Sequence, residues 1–146
     1  MIDFKAMFKD YACSHRSIFI PLSVAECENG WYSFGFPFLY TDNDGIEIYV
    51  QECPDGTILL TDDGWTLGVH SCFDRRNIEV VKRIVNHNDY SRYDEETDAI
   101  TATATEECFA AALLELISVI IATNYAVTAL HGMKVIKNAD QDSRKK

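Results

Sequence analysis

The chain has 146 residues, 47% of them hydrophobic, and a formal net charge of −10 at pH 7. That is enough length and apolar surface for one domain with its own core, which excludes wholesale disorder and a disulfide-stapled mini-fold. The acidic balance disfavours direct nucleic-acid binding, which needs clustered Lys and Arg, and suits a basic protein partner instead.

Residues 2–12, IDFKAMFKDYA, place Phe4, Met7, Phe8 and Tyr11 at helical spacing, with Lys5, Lys9 and Asp10 opposite. This predicts a short amphipathic helix. Nothing here has the basic start and long apolar stretch of a signal peptide. SIFIPLSV, residues 17–24, is apolar and β-branched, but Pro21 argues for an edge or irregular segment. Asn29-Gly30 is a turn signal between two extended runs. The aromatic WYSFGFPFLY follows, and TDNDG turns the chain. In IEIYVQE, Ile46, Ile48 and Val50 alternate with period two, as in a half-buried strand. CPDG is a third turn and TILLT a short strand. Turn-bounded strands in succession make an antiparallel meander.

From Trp65 the pattern changes, and LGVHSCFD is ambiguous. DRRNIEVVKRIVNH sets Ile78, Val81 and Val85 on one helical face, with Asp74 as N-cap. DAITATAT reads as a strand. TEECFAAALLELISVIIA reads as a helix with Thr105 as N-cap and acids in its first turn, where the helix dipole favours them. Phe109 to Leu130 has the length of a membrane span. Glu115 and Asn124 interrupt it, and no basic flank or aromatic belt precedes it, so a buried helix is the reading. It is apolar on nearly every side, and one sheet face covers one stripe only. The rest must meet another helix of this chain or a second copy, so a homodimer through this helix is one of two ways to cover it.

These elements predict one α+β domain over residues 1–138 with a polar tail at 139–146. Its antiparallel β-meander of four to five strands is packed by about three helices, with the long apolar C-terminal helix as the spine.

The stretch FPFLYTDNDGIEIYVQECPDGTILLTDDGWTL resembles a small bacterial and phage family, domain of unknown function 1828. The resemblance rests on Pro37-Phe38, a polar turn, Ile46 to Val50, Gly56 and the LTDDG string at Leu60 to Gly64. A basic helix, a strand and a long apolar helix follow in the family's order over residues 74–122. The resemblance implies a prokaryotic or phage setting and assigns no activity. The HSCFD stretch departs from the family pattern, where a plainer helical segment is expected.

Several constellations carry chemistry in principle. Asp62 and Asp63 are neighbours, so in an extended strand they point to opposite faces and chelate nothing together. The Asp-Gly step favours a turn in which an Asp side chain bonds a backbone N–H two residues on, with Trp65 folding over the sheet end as an apolar plug. DNDG at Asp42 to Gly45 starts like a calcium loop, but the downstream ligands are missing. Asp42, Asp44, Asp62 and Asp63 form a magnesium set only if two turns meet at one sheet end, and no Lys lies between Asp42 and Asp63 to assist nuclease chemistry. Cys13, His15, His70 and Cys72 offer a zinc ligand set, yet nothing in the sequence brings the two segments together. No third residue orients a Cys-His nucleophile. The five cysteines lie far apart with no CxxC pair, which favours reduced thiols in a cytosolic compartment.

Charge distribution is the more informative signal. Asp42, Asp44, Glu47, Glu52, Asp55, Asp62 and Asp63 form one block without a base; Asp94, Glu95, Glu96, Asp98, Glu106 and Glu107 form another, and the two read either as a solvated rim or as acidic edges presented to a basic groove. The functional expectation is a non-enzymatic acidic interaction protein of phage or mobile-element type, acting in the cytoplasm of a bacterial host cell. It would present Asp42, Asp44, Glu47, Asp55, Asp62, Asp63, Asp94, Glu95 and Glu96 to the basic groove of a host nucleic-acid-binding defence complex. No catalytic residue, metal ligand or cofactor is assigned, and neither direct nucleic-acid nor membrane binding is expected. The alternatives are a metal-dependent enzyme using the Asp62/Asp63 turn and an antitoxin-like accessory protein.

Overall fold

The computed structural model describes residues 1–7, 9, 23–40, 42–69 and 74–144, with the backbone alone at 133–136, 138–140 and 142. Cys13, His15, Pro21, His70 and Cys72, and the Phe8 and Tyr11 part of the first helical face, lie outside the described residues.

The fold is α+β. Strands β1 (Ser23–Glu26), β2 (Trp31–Leu39), β3 (Gly45–Glu52) and β4 (Ile58–Thr61) form a meander. The chain then crosses the sheet through a short helix α1 (Trp65–Gly68) and helix α2 (Ile78–Asn86). It returns as the hairpin β5 (Ser91–Tyr93) and β6 (Ile100–Ala104), and ends in helix α3 (Phe109–Ser143). The six strands are ordered β1-β2-β3-β4-β6-β5, and every pairing is antiparallel. The count exceeds the expected four to five by β5. Three residues are too short to show a period-two pattern, and β5 is a strand only because β6 pairs with it.

Register decides which side chains are inside. Phe34 faces Ile48, Val50 faces Leu60, and Leu60 faces Ala102, so one sheet face is continuously apolar. All five of those residues are at most 1% exposed. Ile46, Ile48 and Val50 are buried together, as their alternation requires. Asn29 and Gly30 both take positive φ (57° and 77°) between β1 and β2, which Asn and Gly tolerate best.

Helix α3 lies over this face with Phe109, Leu113, Leu116, Ile117 and Ile120 buried. Each such side chain contributes about 1.5–3 kcal/mol. Val81 and Val85 of α2 are buried, and α2 packs against α3. The N-terminal helical turn, residues 4–7, adds Phe4, whose ring centroid is 5.0 Å from Tyr32 and 6.2 Å from Phe109. Cover for the apolar helix thus comes partly from two other helical segments of the same chain.

The capping details follow the sequence with one substitution of means. Asp74 accepts the Arg76 N–H at 3.0 Å and caps a 3-10 turn, Arg75–Asn77, that leads into α2. Thr105 precedes a turn at 106–108, and its N–H donates to the Cys108 thiol at 3.2 Å. Sulfur here takes the reciprocal place that a Glu or Gln holds in a capping box.

Phe109–Gly132 is long and apolar enough to cross a membrane by length and composition, and half of its most apolar window is buried in the domain. Glu115, the carboxylate within it, accepts the N–H groups of Asp89, Tyr90 and Ser91 at 3.1, 2.9 and 2.7 Å, and the Ser91 hydroxyl at 2.9 Å. It fastens the start of β5 to the helix. Cys27, Cys53 and Cys108 are free thiols.

Candidate functional site

Antiparallel register gathers three loops at one end of the sheet. β2 ends and β3 begins there, because Leu39 pairs with Gly45. β4 ends there at Thr61, which pairs with Thr101 at the start of β6, while Tyr93 at the end of β5 pairs with Ile100. Tyr40 and residues 42–44, turn 62–64 and loop 94–99 are therefore neighbours. The turn and the third loop touch: the Asp62 N–H donates to the Ile100 carbonyl at 3.1 Å. A Cβ on Gly64 would lie 3.3 Å from the Thr97 carbonyl oxygen. Gly64 also has φ +76°, so a side chain there meets both strain and contact.

Asp62 is 0% exposed. Its Oδ1 accepts the Gly64 N–H at 3.0 Å and the Ile100 N–H at 2.7 Å; its Oδ2 accepts the Thr66 N–H at 3.0 Å. The bond to the residue two positions on is the expected Asp turn. The bonds to Thr66 and Ile100 add α1 and β6 to the same carboxylate. Burial pushes the Asp62 carboxyl above the ordinary carboxylate range, and the hydrogen bonds from Thr66, Ile100 and Gly64 oppose that shift. The Thr66 hydroxyl lies 3.4 Å from the Tyr40 hydroxyl, and burial raises the Tyr40 phenol well above its usual value.

Asp63 points the other way. It is exposed, holds φ 53°, and donates its N–H to the Thr61 hydroxyl at 3.0 Å. The couplet is thus one buried brace and one surface carboxylate. Trp65 is not the expected plug. It is 47% exposed, and Leu67, at 7%, takes the interior position. The helical turn of α1 rotates Trp65 outward and Leu67 inward.

The other acids distribute as follows. Asp42, Asp44 and Glu47 are exposed at the gathered end, with Asp42 Oδ1 accepting the Asp44 N–H at 3.0 Å. Asp94 is half-buried there, and Glu95 and Glu96 are exposed. Asp94 accepts from the Glu96 N–H and the Thr97 hydroxyl, which hold its carboxyl below the usual range, the Thr97 bond most strongly. Glu95 pairs with Lys82, and Asp98 pairs with Arg75 and the Tyr93 hydroxyl. Asp55 sits at the opposite sheet end, in the β3–β4 turn, accepting the Thr57 N–H at 3.0 Å and hydroxyl at 2.6 Å. Glu52 binds the Ile2 N–H at 2.7 Å. Each sequence block is therefore split between the two ends, while halves of both blocks share one end.

At the gathered end a cleft of about 260 Å³ is lined by Tyr40, Asp44, Gly45, Glu47, Tyr49 and Trp65. The Tyr49 hydroxyl donates to Glu47 Oε2 at 3.0 Å. The Tyr49 phenol is pushed up to about 12, first by burial, then by Glu47, with Asp63 adding to it. Sequence reasoning missed this cleft; an exposed Trp next to an Asp-Gly turn was its one available signal. Among the described residues, no group of three His, Cys, Asp or Glu side chains is placed to hold a metal ion. Asp62, braced by backbone N–H groups, does not join Asp42, Asp44 and Asp63 in such a set.

The model of the family described as domain of unknown function DUF1828 matches residues 36–123, and the chain belongs to that family. The matched range runs from the end of β2 to the middle of α3 and contains the whole gathered end. No curated protein and no solved structure matches the chain.

Proposed function

As a member of that family, we propose, this chain is a non-enzymatic interaction protein that presents the gathered carboxylates to a basic protein surface. One observation carries the reading. Asp42, Asp44, Glu47, Asp63, Asp94 and Glu96 lie at one sheet end, and none makes an ion pair with a described residue. Neighbouring strands are about 4.8 Å apart, so the loops that carry these acids span roughly 20 Å. That spacing between neighbouring strands is shorter than a Debye length, so the charges on these loops sum to one negative field.

A surface of that kind is matched by Lys and Arg arranged to hold phosphates. The partner class we assign is therefore a nucleic-acid-binding protein, and a host defence complex of a phage-infected bacterium is the instance proposed. Asp62 contributes by fixing the turn, not by contact, and Asp55 lies away from the surface.

The test uses the full chain as bait, with a variant carrying Asp42→Lys, Asp44→Lys, Asp94→Lys and Glu96→Lys. The wild type should retain a basic protein from a bacterial host lysate, release it as salt is raised, and block its binding to nucleic acid. Equal retention by the reversed variant, or retention that salt does not weaken, rejects the proposal.

A further inference from the structure

The cleft beside Trp65 suits something more specific than a diffuse field. It is walled by three aromatic residues and two carboxylates: Tyr40, Tyr49, Trp65, Asp44 and Glu47. One carboxylate is positioned, because the Tyr49 hydroxyl holds Glu47 Oε2 at 3.0 Å. Trp65 is almost half exposed although it is among the largest apolar side chains in the chain. Its indole is the best of the aromatic faces for a cation. A volume of about 260 Å³ admits one long side chain, not a helix.

Resting on the function proposed above, we infer that this cleft receives a single arginine side chain of the basic partner, its guanidinium against Trp65 and its N–H groups on Glu47 and Asp44. Arginine fits better than lysine for two reasons. Its planar fork pairs with a carboxylate through two parallel bonds, and it stacks on an aromatic face with less hydration to lose. A compact, strongly hydrated ammonium gains from the surrounding acids but not from the flat wall.

Hexa-arginine and hexa-lysine peptides, titrated calorimetrically into the full chain at low salt, separate the two ideas. The wild type should bind hexa-arginine about fivefold more tightly than hexa-lysine. Trp65→Leu and Glu47→Gln should each remove that preference, weakening hexa-arginine about three- to tenfold. An Asp94→Asn, Glu96→Gln variant, altered outside the cleft, should weaken both peptides alike and keep the preference. Melting curves and circular dichroism check folding; Glu47 is exposed, so Glu47→Gln carries the test if Trp65→Leu does not fold. If the wild type shows no preference, or both cleft variants keep it while the outer variant weakens both peptides, the arginine pocket is wrong and the acidic surface stands. If neither peptide binds the wild type, both fall.

Discussion

Asp62→Ala removes an acceptor from three backbone N–H groups at 2.7–3.0 Å. The bonds to Thr66 and Ile100 are buried, so those two donors lose their partner where water does not reach; the Gly64 donor is only part-buried. An unsatisfied buried donor costs about 1–3 kcal/mol, and relief of the desolvated carboxylate offsets part of the sum. The expected net loss is about 3–5 kcal/mol. At about 3 °C per kcal/mol for a domain of this size, that is roughly a 10–15 °C lower melting point. Asp62→Asn keeps an oxygen for Gly64 and Ile100 but turns its amide toward the Thr66 N–H, so it should lose about 1–2 kcal/mol. Asp63→Asn is the control. Its carboxylate is exposed and Asn accepts positive φ, so stability should change by less than about 0.5 kcal/mol. Urea titrations followed by tryptophan fluorescence and far-ultraviolet circular dichroism measure all three. A stable Asp62→Ala protein that has lost a bound ion or a turnover would refute the reasoning, since Asp62 would then be a chemical group and not a brace.

Glu115→Ala should cost about 2–4 kcal/mol and speed amide hydrogen exchange at Asp89, Tyr90 and Ser91, the three N–H groups it accepts; unchanged exchange there would exclude the role. Asp98 supplies a pH dependence. Arg75 beside it holds its carboxyl below the ordinary range, so its stabilisation is present above about pH 4 and is lost as the pH falls through the folded-state value. The pair is partly solvated, with side chains 63% and 33% exposed, so Arg75→Ala should lower stability only slightly near neutrality. Urea titrations near neutrality and at roughly pH 3 should show that difference shrinking in acid.

The local elements were legible because local chemistry fixes them. Asn29-Gly30 sets a left-handed turn, Ile46, Ile48 and Val50 alternate, and Val81 and Val85 recur at helical spacing. The turn at Asp62 was legible in kind, since an Asp bonding two residues on is a property of four consecutive residues. Its depth was not. The bond to Ile100 spans 38 positions and exists only because β6 inserts beside β4. The same long-range placement explains the missed β5 and the role of Glu115, which in sequence is a charge interrupting an apolar run. Nor does a linear tally of acids reveal which ones meet. Strand register sends Asp55 and Asp63 to opposite ends although eight positions separate them. It also brings Gly64 beside the Thr97 carbonyl, more than thirty positions on.

Helix α3 starts where β6 ends, away from the carboxylate loops, and runs back until it touches α1 at their side of the molecule. Its last buried described side chain is Val127, yet the helix continues to Ser143. Sixteen residues at 1.5 Å each carry the helix axis about 24 Å further. An affinity tag or fluorophore fused beyond this helix would leave from the carboxylate side of the domain. The binding experiments should therefore carry their handle at Met1.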